Sequence, residues 1–327
     1  MTSPSSPARR AAVVGTGLIG GSIGLALRAQ GWHVTGRDRV ESHAARALSL
    51  GALDAVGDDP DAELTFVATP VGAVADEAAL ALKDGGVVTD VGSVKASVVD
   101  GVGDTRFVGG HPMAGSEQEG VDGADAGLFS GAVWVLTPVP GTDPDAHVLV
   151  RSVVSSFGAE VVELPPDRHD ALVAVVSHVP HLAAATLMGL AADRAEEHQA
   201  LLRLAAGGFR DMTRVAAGHP GIWPDICVEN RVAIVEVLAR LEEALAAMRE
   251  LVDAGDRPGL LAGLEAARAA RVNLPRPVAA GEAMAEVRVP VLDRIGVFAE
   301  VTTLAAEVGV NLYDIEVAHS SEGQAGV

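Results

Sequence analysis

The glycine spacing near the start of the chain is the first feature that points to chemistry. The segment VVGTGLIGG places Gly15, Gly17 and Gly20 in the pattern GxGxxG, between an apolar run typical of a strand and a helical pattern. In that context the first glycine permits a tight turn, the second lets the backbone approach a pyrophosphate, and the third lets the helix pack on the strand. A helix N-terminus adds free N–H groups and the positive end of its dipole. The pattern therefore predicts a dinucleotide site.

An acidic residue bears on which dinucleotide binds. Asp38 follows the second predicted strand, about 20 residues beyond the glycines, where a carboxylate bonds the ribose 2′-hydroxyl of NAD. Arg37 and Arg39 flank it, and an arginine is able to bind the 2′-phosphate of NADP. NAD is favoured and NADP stays open; the competing interpretation is a glycine-rich turn beside a surface aspartate.

A histidine lies in a second glycine-rich segment. His111 belongs to GGHPMAGSEQEG (109–120), which follows a predicted strand. Ligands of open parallel sheets bind beyond the carboxyl ends of the strands, so His111 is placed where chemistry would occur. Such a histidine is suited to general acid–base work. The alternative is a histidine that terminates a strand for structural reasons.

Further polar side chains occur where the pattern is helical. His178 and His181 are three residues apart, hence on one helix face. No third metal ligand is evident and HExxH is absent, so we predict no metal site. Beyond a glycine pair, Arg210, Asp211 and Arg214 lie near the start of a predicted helix, and Trp223 follows in the next segment.

The elements that position these residues follow from the hydrophobic pattern. Short β-branched runs alternate with helical stretches, with strands predicted at 11–14, 33–37, 64–69, 86–91, 106–110 and 132–136. Such alternation predicts an α/β fold with a Rossmann-type parallel sheet. Ala/Leu-rich stretches then predict an all-helical domain. The expected organisation is a disordered leader (1–8), a dinucleotide-binding domain (9–150), a helical domain (151–272), a linker (273–281) and an incomplete α+β tail (282–327).

Composition excludes several function classes. The 327 residues include 24 basic and 44 acidic ones, a net charge of −20, which disfavours nucleic acid as a partner. The single cysteine, Cys227, excludes an internal disulfide and a cysteine-based metal cage. The apolar run at 11–27 resembles a signal peptide or a short membrane span, but its ordered glycines favour strand and helix. We expect no other segment to be long and apolar enough to cross a bilayer.

Seven motifs together carry a resemblance to a known family. The motifs GLIGGS, FVATPV, DVGSVK, GGHPMAGSE, SHVPH, GGFRDMTR and PGIWPDICVEN occur in order between residues 11 and about 272. This set resembles the prephenate dehydrogenases, together with the related arogenate dehydrogenases. The tail, through VPVLDRIGVFAEVTTLAAEVGVNLYDIEV, resembles an ACT small-molecule-binding domain whose later strands are missing.

The resemblance implies a reaction and a role for each motif. The reaction is the NAD-dependent oxidative decarboxylation of prephenate to 4-hydroxyphenylpyruvate, on the route to tyrosine. By resemblance, His111 accepts a hydrogen bond from the ring hydroxyl, Ser93 bonds near the same hydroxyl and the nicotinamide, and Arg214 binds the ring carboxylate. Ser93 has a competing interpretation as a helix N-cap. The remaining expected substrate residues are Gly207, Asp211, His181 and Trp223, and the expected cofactor residues are Gly15, Gly17, Leu18, Ile19, Gly20, Asp38, Thr69, Pro70 and Ser93.

Some residues and readings stay open. His178 could either line the substrate pocket or have a structural role. Arg210 resembles a surface position, and the His169–Asp170 pair is interpreted as structural. Arogenate is the closest rival substrate. Two further alternatives are a non-catalytic nucleotide-binding sensor of aromatic acids and a 3-hydroxyacid dehydrogenase. The latter is disfavoured because the only lysines, Lys83 and Lys95, lie in the first domain.

The resemblance also bears on assembly and regulation. It implies a cytoplasmic homodimer joined through the helical domain, and tyrosine as a feedback inhibitor acting through the tail. If His111 is the acceptor, kcat/KM should rise with pH around the ordinary histidine pKa of ~6.5.

Overall fold

The computed structural model describes residues 8–115, 118, 120–195, 202–273 and 296–308. The chain divides into two compact units, Met1–Val278 and Ala279–Val327. The first holds the sheet and the helical region. In the second, the described residues form one helix, Val297–Glu307. Most of the predicted leader, the linker and the strands of the ACT-like tail lie outside the described residues.

The first unit is built on an eight-stranded sheet in the order β3-β2-β1-β4-β5-β6-β7-β8. Its first six strands are parallel and follow the Rossmann order, as the sequence predicted. The strands are β1 (Arg10–Val14), β2 (His33–Arg37), β3 (Ala55–Val56), β4 (Leu64–Val67), β5 (Val87–Asp90), β6 (Phe107–Pro112), β7 (Val133–Thr137) and β8 (Glu160–Glu163). Because β1 is an interior strand with four buried residues, the run from residue 11 is a core strand rather than a signal peptide.

Five helices connect these strands. They are α1 (Leu18–Ala29), α2 (Glu41–Ser49), α3 (Val71–Ala81), α4 (Ala96–Val102) and α5 (Pro144–Ser156). Helix α1 begins directly after the glycine loop, and most of its residues are buried. Ring contacts join Phe66, Phe129, Trp134 and Phe157 on one side of the sheet, with centroids 5.0–6.4 Å apart. The few aromatic residues are thus concentrated in the core of this domain.

The far edge of the sheet differs from the sequence prediction. Strand β7 runs antiparallel to β6, whereas a parallel arrangement was expected. A parallel return requires a crossover, usually a helix. Between the two strands the described residues form only a short 3₁₀ turn, Val121–Gly123. Strand β8 then pairs with β7 inside the range 151–272, where only helices were predicted. The short strands β3 and β8 lack a long β-branched run, so the pattern did not reveal them.

The helical region consists of α6 (Pro166–Val173), a π-helical turn (Ala174–His178), α7 (Val179–Ala195), α8 (Gly207–Thr213), α9 (Trp223–Glu229), α10 (Arg231–Asp253) and α11 (Arg257–Val272). Helix α6, the π turn and α7 form a nearly continuous rod. A single-residue π insertion changes which side chains face a neighbour, and such turns are frequent at functional sites. Here the π turn ends at His178, whose side chain is buried.

One expectation about this rod was wrong. Within the stretch Pro166–Asp193, an 18-residue window has a mean hydropathy of 1.6, so the helix is long and apolar enough by length and composition to cross a membrane. The same stretch begins with the buried polar residues His169 and Asp170, which pack against the sheet domain. The helix that carries these apolar residues therefore also forms a hydrogen-bonded contact with the sheet domain.

Candidate active site

The glycine loop has the geometry that a dinucleotide requires. Gly15 has φ +92°, and a Cβ there would lie 2.5 Å from the Ala68 carbonyl oxygen. A Cβ on Gly20 would lie 1.9 Å from the Gly15 carbonyl oxygen, so these two positions need glycine for the fold itself. A Cβ on Gly17 would meet nothing within 4 Å. Gly17 therefore faces open space beside the loop.

Asp38 is held at the end of β2 by backbone groups. Its carboxylate accepts hydrogen bonds from the N–H groups of Thr16 at 2.8 Å and Val40 at 2.9 Å, and from the Thr16 hydroxyl at 3.2 Å. Burial opposes ionisation, but the N–H groups of Val40 and Thr16 outweigh it and lower the pKa of Asp38. An ionised carboxylate beside the glycine loop suits a ribose hydroxyl and repels a 2′-phosphate.

The arginine that left NADP open is already engaged. Arg37 bonds Asp58 at 2.6 Å and Glu77 at 2.5 Å. Arg39 is exposed. Of the two arginines flanking Asp38, one is therefore neutralised by two carboxylates, which favours NAD.

The other cofactor candidates line the same loop edge. Leu18 and Ile19 open α1 and are partly exposed, and Thr69 and Pro70 connect β4 to α3. The buried Thr69 hydroxyl has no hydrogen-bond partner among the described residues, so a polar group is available beside the loop. Ser93 lies between β5 and α4 and is partly exposed. The N-cap residue of α4 is Lys95, so Ser93 does not take the capping role that competed with its functional interpretation.

His111 lies near the carboxyl end of β6 and is buried. Burial is the main cause that lowers its pKa well below the ordinary value, and the neighbouring His169, Lys95 and His178 add to the effect. The imidazole is therefore neutral near pH 7, the state in which a ring nitrogen is able to accept a proton.

A second histidine and an aspartate meet His111 from the helical region. His111 Nδ1 lies 2.8 Å from His169 Nε2, and His169 Nδ1 lies 2.8 Å from the Asp170 carboxylate. All three side chains are buried. From sequence alone the His169–Asp170 pair was predicted to be structural, because adjacency on a helix does not reveal a contact with a residue 58 positions away. The available signal was a His-Asp pair at the start of an otherwise apolar helix.

A buried ion pair supports the strand that carries His111. The Lys95 ammonium contacts the Asp90 carboxylate and donates to the Gly110 carbonyl at 2.8 Å, and both charged side chains are fully buried. The Gly110 N–H donates to Asp90 at 3.0 Å. Asp90 and Lys95 together fix both backbone polar groups of the residue that precedes His111.

The network extends from Asp170 to His178, at the end of the π turn, and ring contacts extend it to His181 on α7. The Asn230 amide donates to the Asp170 backbone carbonyl at 2.9 Å and lies 3.1 Å from His178 Nδ1. Burial lowers the pKa of His178 to about 4, and its Nε2 has no hydrogen-bond partner among the described residues. Trp223 contacts the His178 ring edge-on and stacks on His181 with centroids 3.6 Å apart.

The residues expected to bind the substrate carboxylate are exposed. Gly207 and Asp211 are on α8, Arg214 opens the following 3₁₀ turn, and all three are exposed. Arg210 is also exposed and donates to the Ala205 carbonyl at 3.2 Å. The contacts described above thus join His111 to His178, and ring contacts extend them to Trp223 and His181, while Gly207, Asp211 and Arg214 belong to a neighbouring exposed segment. No group of three metal-ligating side chains occurs in the described parts of the chain.

Comparison with known proteins identifies the family. Residues 23–163 match the family model "Prephenate dehydrogenase, nucleotide-binding domain", and residues 165–266 match "Prephenate dehydrogenase, dimerization domain". The chain is 33% identical to the prephenate dehydrogenase of Bacillus subtilis, over 96% of this chain and 90% of that protein. It is 34% identical to the cyclohexadienyl dehydrogenase of Zymomonas mobilis, over 80% of this chain and 95% of that protein.

Solved structures agree. The prephenate dehydrogenase of A. aeolicus, solved with hydroxyphenyl propionate and NAD+, superposes with a TM-score of 0.76 at 29% identity, covering 83% of this chain and all of that one. The arogenate dehydrogenase of Synechocystis superposes with a TM-score of 0.70 at 30% identity, covering 80% of this chain and 99% of that one. The order of sheet and helices, the two family models and an identity above 30% across most of the chain lead to one conclusion: this chain belongs to the prephenate dehydrogenase family of oxidoreductases.

Proposed function

We propose that this chain catalyses the NAD-dependent oxidative decarboxylation of prephenate to 4-hydroxyphenylpyruvate. The observation that carries the proposal is a buried histidine, His111, held neutral at the carboxyl edge of the sheet that bears the dinucleotide loop. A neutral imidazole at that place suits a substrate whose hydroxyl must be polarised as hydride leaves. The membership of the family supports the same reaction.

NAD is the cofactor, and the loop residues fit it. The open space at Gly17 admits a pyrophosphate, the start of α1 supplies N–H groups, and the Asp38 carboxylate suits the ribose. When bound, the nicotinamide accepts the hydride. Thr69, Pro70 and Ser93 are proposed to line its nicotinamide end.

The residues of the chain then have three tasks. His111 accepts a hydrogen bond from the hydroxyl on the ring carbon that loses hydride, which stabilises the developing C=O character. The carboxylate carbon leaves as carbon dioxide, and the electron pair of the breaking C–C bond enters the ring. The hydroxyl proton remains on the phenol product, so the His111 imidazole is neutral again at the end of the cycle. Ser93 is proposed to bond the same hydroxyl, and Arg214, oriented by Asp211 and Gly207, to bind the ring carboxylate.

His181 and Trp223 are proposed to form a wall of the pocket. Their rings stack face to face, so one fixes the other. Guanidinium is the group suited to carboxylate recognition, and a local arginine is needed because the net charge of −20 disfavours an anionic substrate.

Arogenate is the second candidate substrate. The observation that favours it is the similarity to an arogenate dehydrogenase and to a cyclohexadienyl dehydrogenase at 30% and 34% identity. Arogenate carries an amino acid side chain where prephenate carries a pyruvyl group, and the ring chemistry is the same.

A paired assay tests the proposal. Purified protein receives prephenate or arogenate, each with NAD or NADP, and absorbance of the reduced nicotinamide is followed. We expect turnover with prephenate and NAD, and a loss of about 10²–10⁴-fold in kcat for His111→Asn with cofactor affinity retained. Near-normal turnover of His111→Asn would remove the histidine from the mechanism, and no turnover with either substrate would favour the sensor alternative.

The assembly is proposed to be a cytoplasmic homodimer joined through the helical region. The match of residues 165–266 to a dimerization-domain model and the exposed apolar residues of α10 support this assembly. Inhibition by tyrosine through an ACT-like tail is proposed from the resemblance of the tail sequence alone.

A further inference from the structure

We infer that His169 and Asp170 are positioning residues that fix the tautomer of His111 and direct its Nε2 toward the substrate hydroxyl. The inference rests on the proposed function, because it assigns to His111 the role of acceptor. The sequence motifs do not distinguish these two residues from an ordinary helix start. Their contacts with His111 and with the start of α4 do distinguish them.

The first step is the charge on Asp170. Its two oxygens accept the backbone N–H groups of Lys95 and Ala96, each at 2.8 Å, at the start of α4. A carboxylate that accepts several N–H groups at a helix N-terminus is stabilised as the anion. An anionic Asp170 is able only to accept, so the facing Nδ1 of His169 carries a hydrogen.

The state of His169 then determines which ring carries the hydrogen in the contact between His111 and His169. A neutral His169 protonated at Nδ1 has a lone pair at Nε2, which lies 2.8 Å from His111 Nδ1. For that contact to be a hydrogen bond, His111 Nδ1 must carry the hydrogen. The neutral His111 ring then has its lone pair at Nε2, the nitrogen that lies away from His169.

The third step concerns charge during the reaction. As the substrate proton moves toward His111 Nε2, positive charge develops on a buried ring that also faces Lys95 and His178. The Nδ1–H of His111 shares that charge with His169, and His169 shares it with Asp170. Asp170, two hydrogen bonds away, thus stabilises the charge that develops on His111 without forming an ion pair with it.

The arrangement gives Asp170 two tasks that an experiment must separate. Its carboxylate orients His169, and it also caps α4, which follows Ser93. Its backbone carbonyl accepts from Asn230 as well. Replacing Asp170 therefore changes the helix start together with the ring, and His169 is the cleaner position for a test.

The test compares His169→Leu, His169→Gln and Asp170→Asn in the full-length chain with NAD and prephenate. Leu removes the acceptor for His111 Nδ1–H, whereas the Gln carbonyl is able to replace it. We expect kcat to fall about 10²–10⁴-fold for His169→Leu and Asp170→Asn and to recover at least about tenfold in His169→Gln, with the NAD dissociation constant changed less than about threefold by calorimetry. Asp143→Asn, which alters the N-cap carboxylate of α5, is the matched control and should retain wild-type kcat.

The pH profile distinguishes positioning from structure. Loss of the Asp170 anion removes stabilisation of the protonated ring, so the acid limb of kcat/KM should move to lower pH in Asp170→Asn while the plateau falls. A purely structural role would lower the plateau and the melting temperature with the limb unmoved. That result, or a kcat of His169→Leu within about twofold of wild type, would overturn the inference.

A spectroscopic measurement is independent of turnover. Two-bond ¹H–¹⁵N spectra of histidine-labelled protein report which ring nitrogen carries hydrogen. We expect wild-type His111 and His169 both to be protonated at Nδ1, and His169 to lose that preference in Asp170→Asn. A wild-type His111 protonated at Nε2 would refute the inference. Absence of turnover in the wild-type chain with the expected tautomers would instead refute the proposed function alone.

Discussion

At the scale of single residues, the environment of His111 sets the working pH of the site. A histidine in water has a pKa of ~6.5, and that value is the expectation from sequence alone. Burial, with His169, Lys95 and His178 adding to it, lowers the pKa of His111 well below it. A lowered pKa leaves the acceptor neutral down to more acid pH, so activity is present above the folded-state pKa and is lost as pH falls through it.

The pH dependence of kcat/KM should therefore show its acid limb clearly below ~6.5. The measurement is steady-state turnover from pH 4.5 to 8 with subsaturating prephenate, and stability at each pH is checked by preincubation and return to neutral pH. A limb at or above the ordinary histidine value would mean that another group, or a protonated His111, controls the reaction.

Arg214 offers a second prediction at this scale. Arg214→Ala should weaken prephenate binding by ~2–5 kcal/mol, because the substrate carboxylate loses its guanidinium partner. Steady-state KM and equilibrium binding in the presence of NAD measure the loss. Arg210→Ala is the matched control, since Arg210 is an exposed arginine four residues earlier whose guanidinium bonds the Ala205 carbonyl. Equal KM values for the two variants would move the carboxylate site elsewhere.

The residue scale also shows where sequence reasoning stops. Gly15, Gly17, Asp38 and His111 were predicted as site residues because each follows a strand in a recognisable spacing. His169 was not, because its role arises from a contact across 58 positions of chain. Spacing along a helix reveals neighbours on that helix, whereas a contact between domains depends on how the domains pack.

At the scale of elements, the turn from β1 into α1 does most to define the dinucleotide site. Its two kinds of glycine have different tasks. Gly20 lies against the Gly15 carbonyl, where a Cβ has no room, whereas a Cβ at Gly17 meets no protein atom within 4 Å. Gly20 thus serves packing of the helix on the loop, and we propose that Gly17 leaves room for the ligand.

Gly17→Ala and Gly20→Ala should separate these tasks. We expect Gly17→Ala to keep the wild-type melting temperature within about 2 °C and to lose at least about tenfold in NAD affinity, because its methyl group occupies the approach of the pyrophosphate. Gly20→Ala should lower the melting temperature by several degrees, at about 2–4 °C per kcal/mol of strain. Thermal denaturation and calorimetric NAD titration give both quantities, and unchanged NAD affinity in Gly17→Ala would contradict the assignment.

Elements were predicted unevenly for physical reasons. Six strands have continuous β-branched or apolar runs, and all six were located. β3 has two residues and β8 only four, which is too short for periodicity to emerge. The reversed direction of β7 was not visible either, since strand direction depends on the connection and not on the strand's own residues.

At the scale of the whole molecule, the helical region leaves many large apolar side chains exposed in a single chain. Helix α10 exposes Val232, Val235, Leu245 and Val252, each at 58% or more of its surface. An apolar face of this kind indicates a protein contact, and the dimerization-domain match covers the helix. The same reasoning accounts for the long helix Pro166–Asp193, in which only 28% of its apolar 18-residue window is buried.

Val232→Glu combined with Val235→Glu should shift the chain from dimer to monomer. A charge at each position faces desolvation without a partner in the interface. Light scattering coupled to size exclusion gives the mass. Val148→Glu, on α5 of the sheet domain and 63% exposed, is the control and should leave the mass unchanged. A wild-type chain that elutes as a monomer would contradict the proposed assembly.

The contact between His111 and His169 has a consequence for the order in which the protein is made. His111 lies in the segment matched by the nucleotide-binding model, and His169 and Asp170 lie in the segment matched by the dimerization model. During synthesis the dinucleotide loop and His111 leave the ribosome before the ring that orients His111. On the role that we infer for His169, a nascent chain holds His111 without the ring that directs it, and we expect full activity only after α6 has packed against α4.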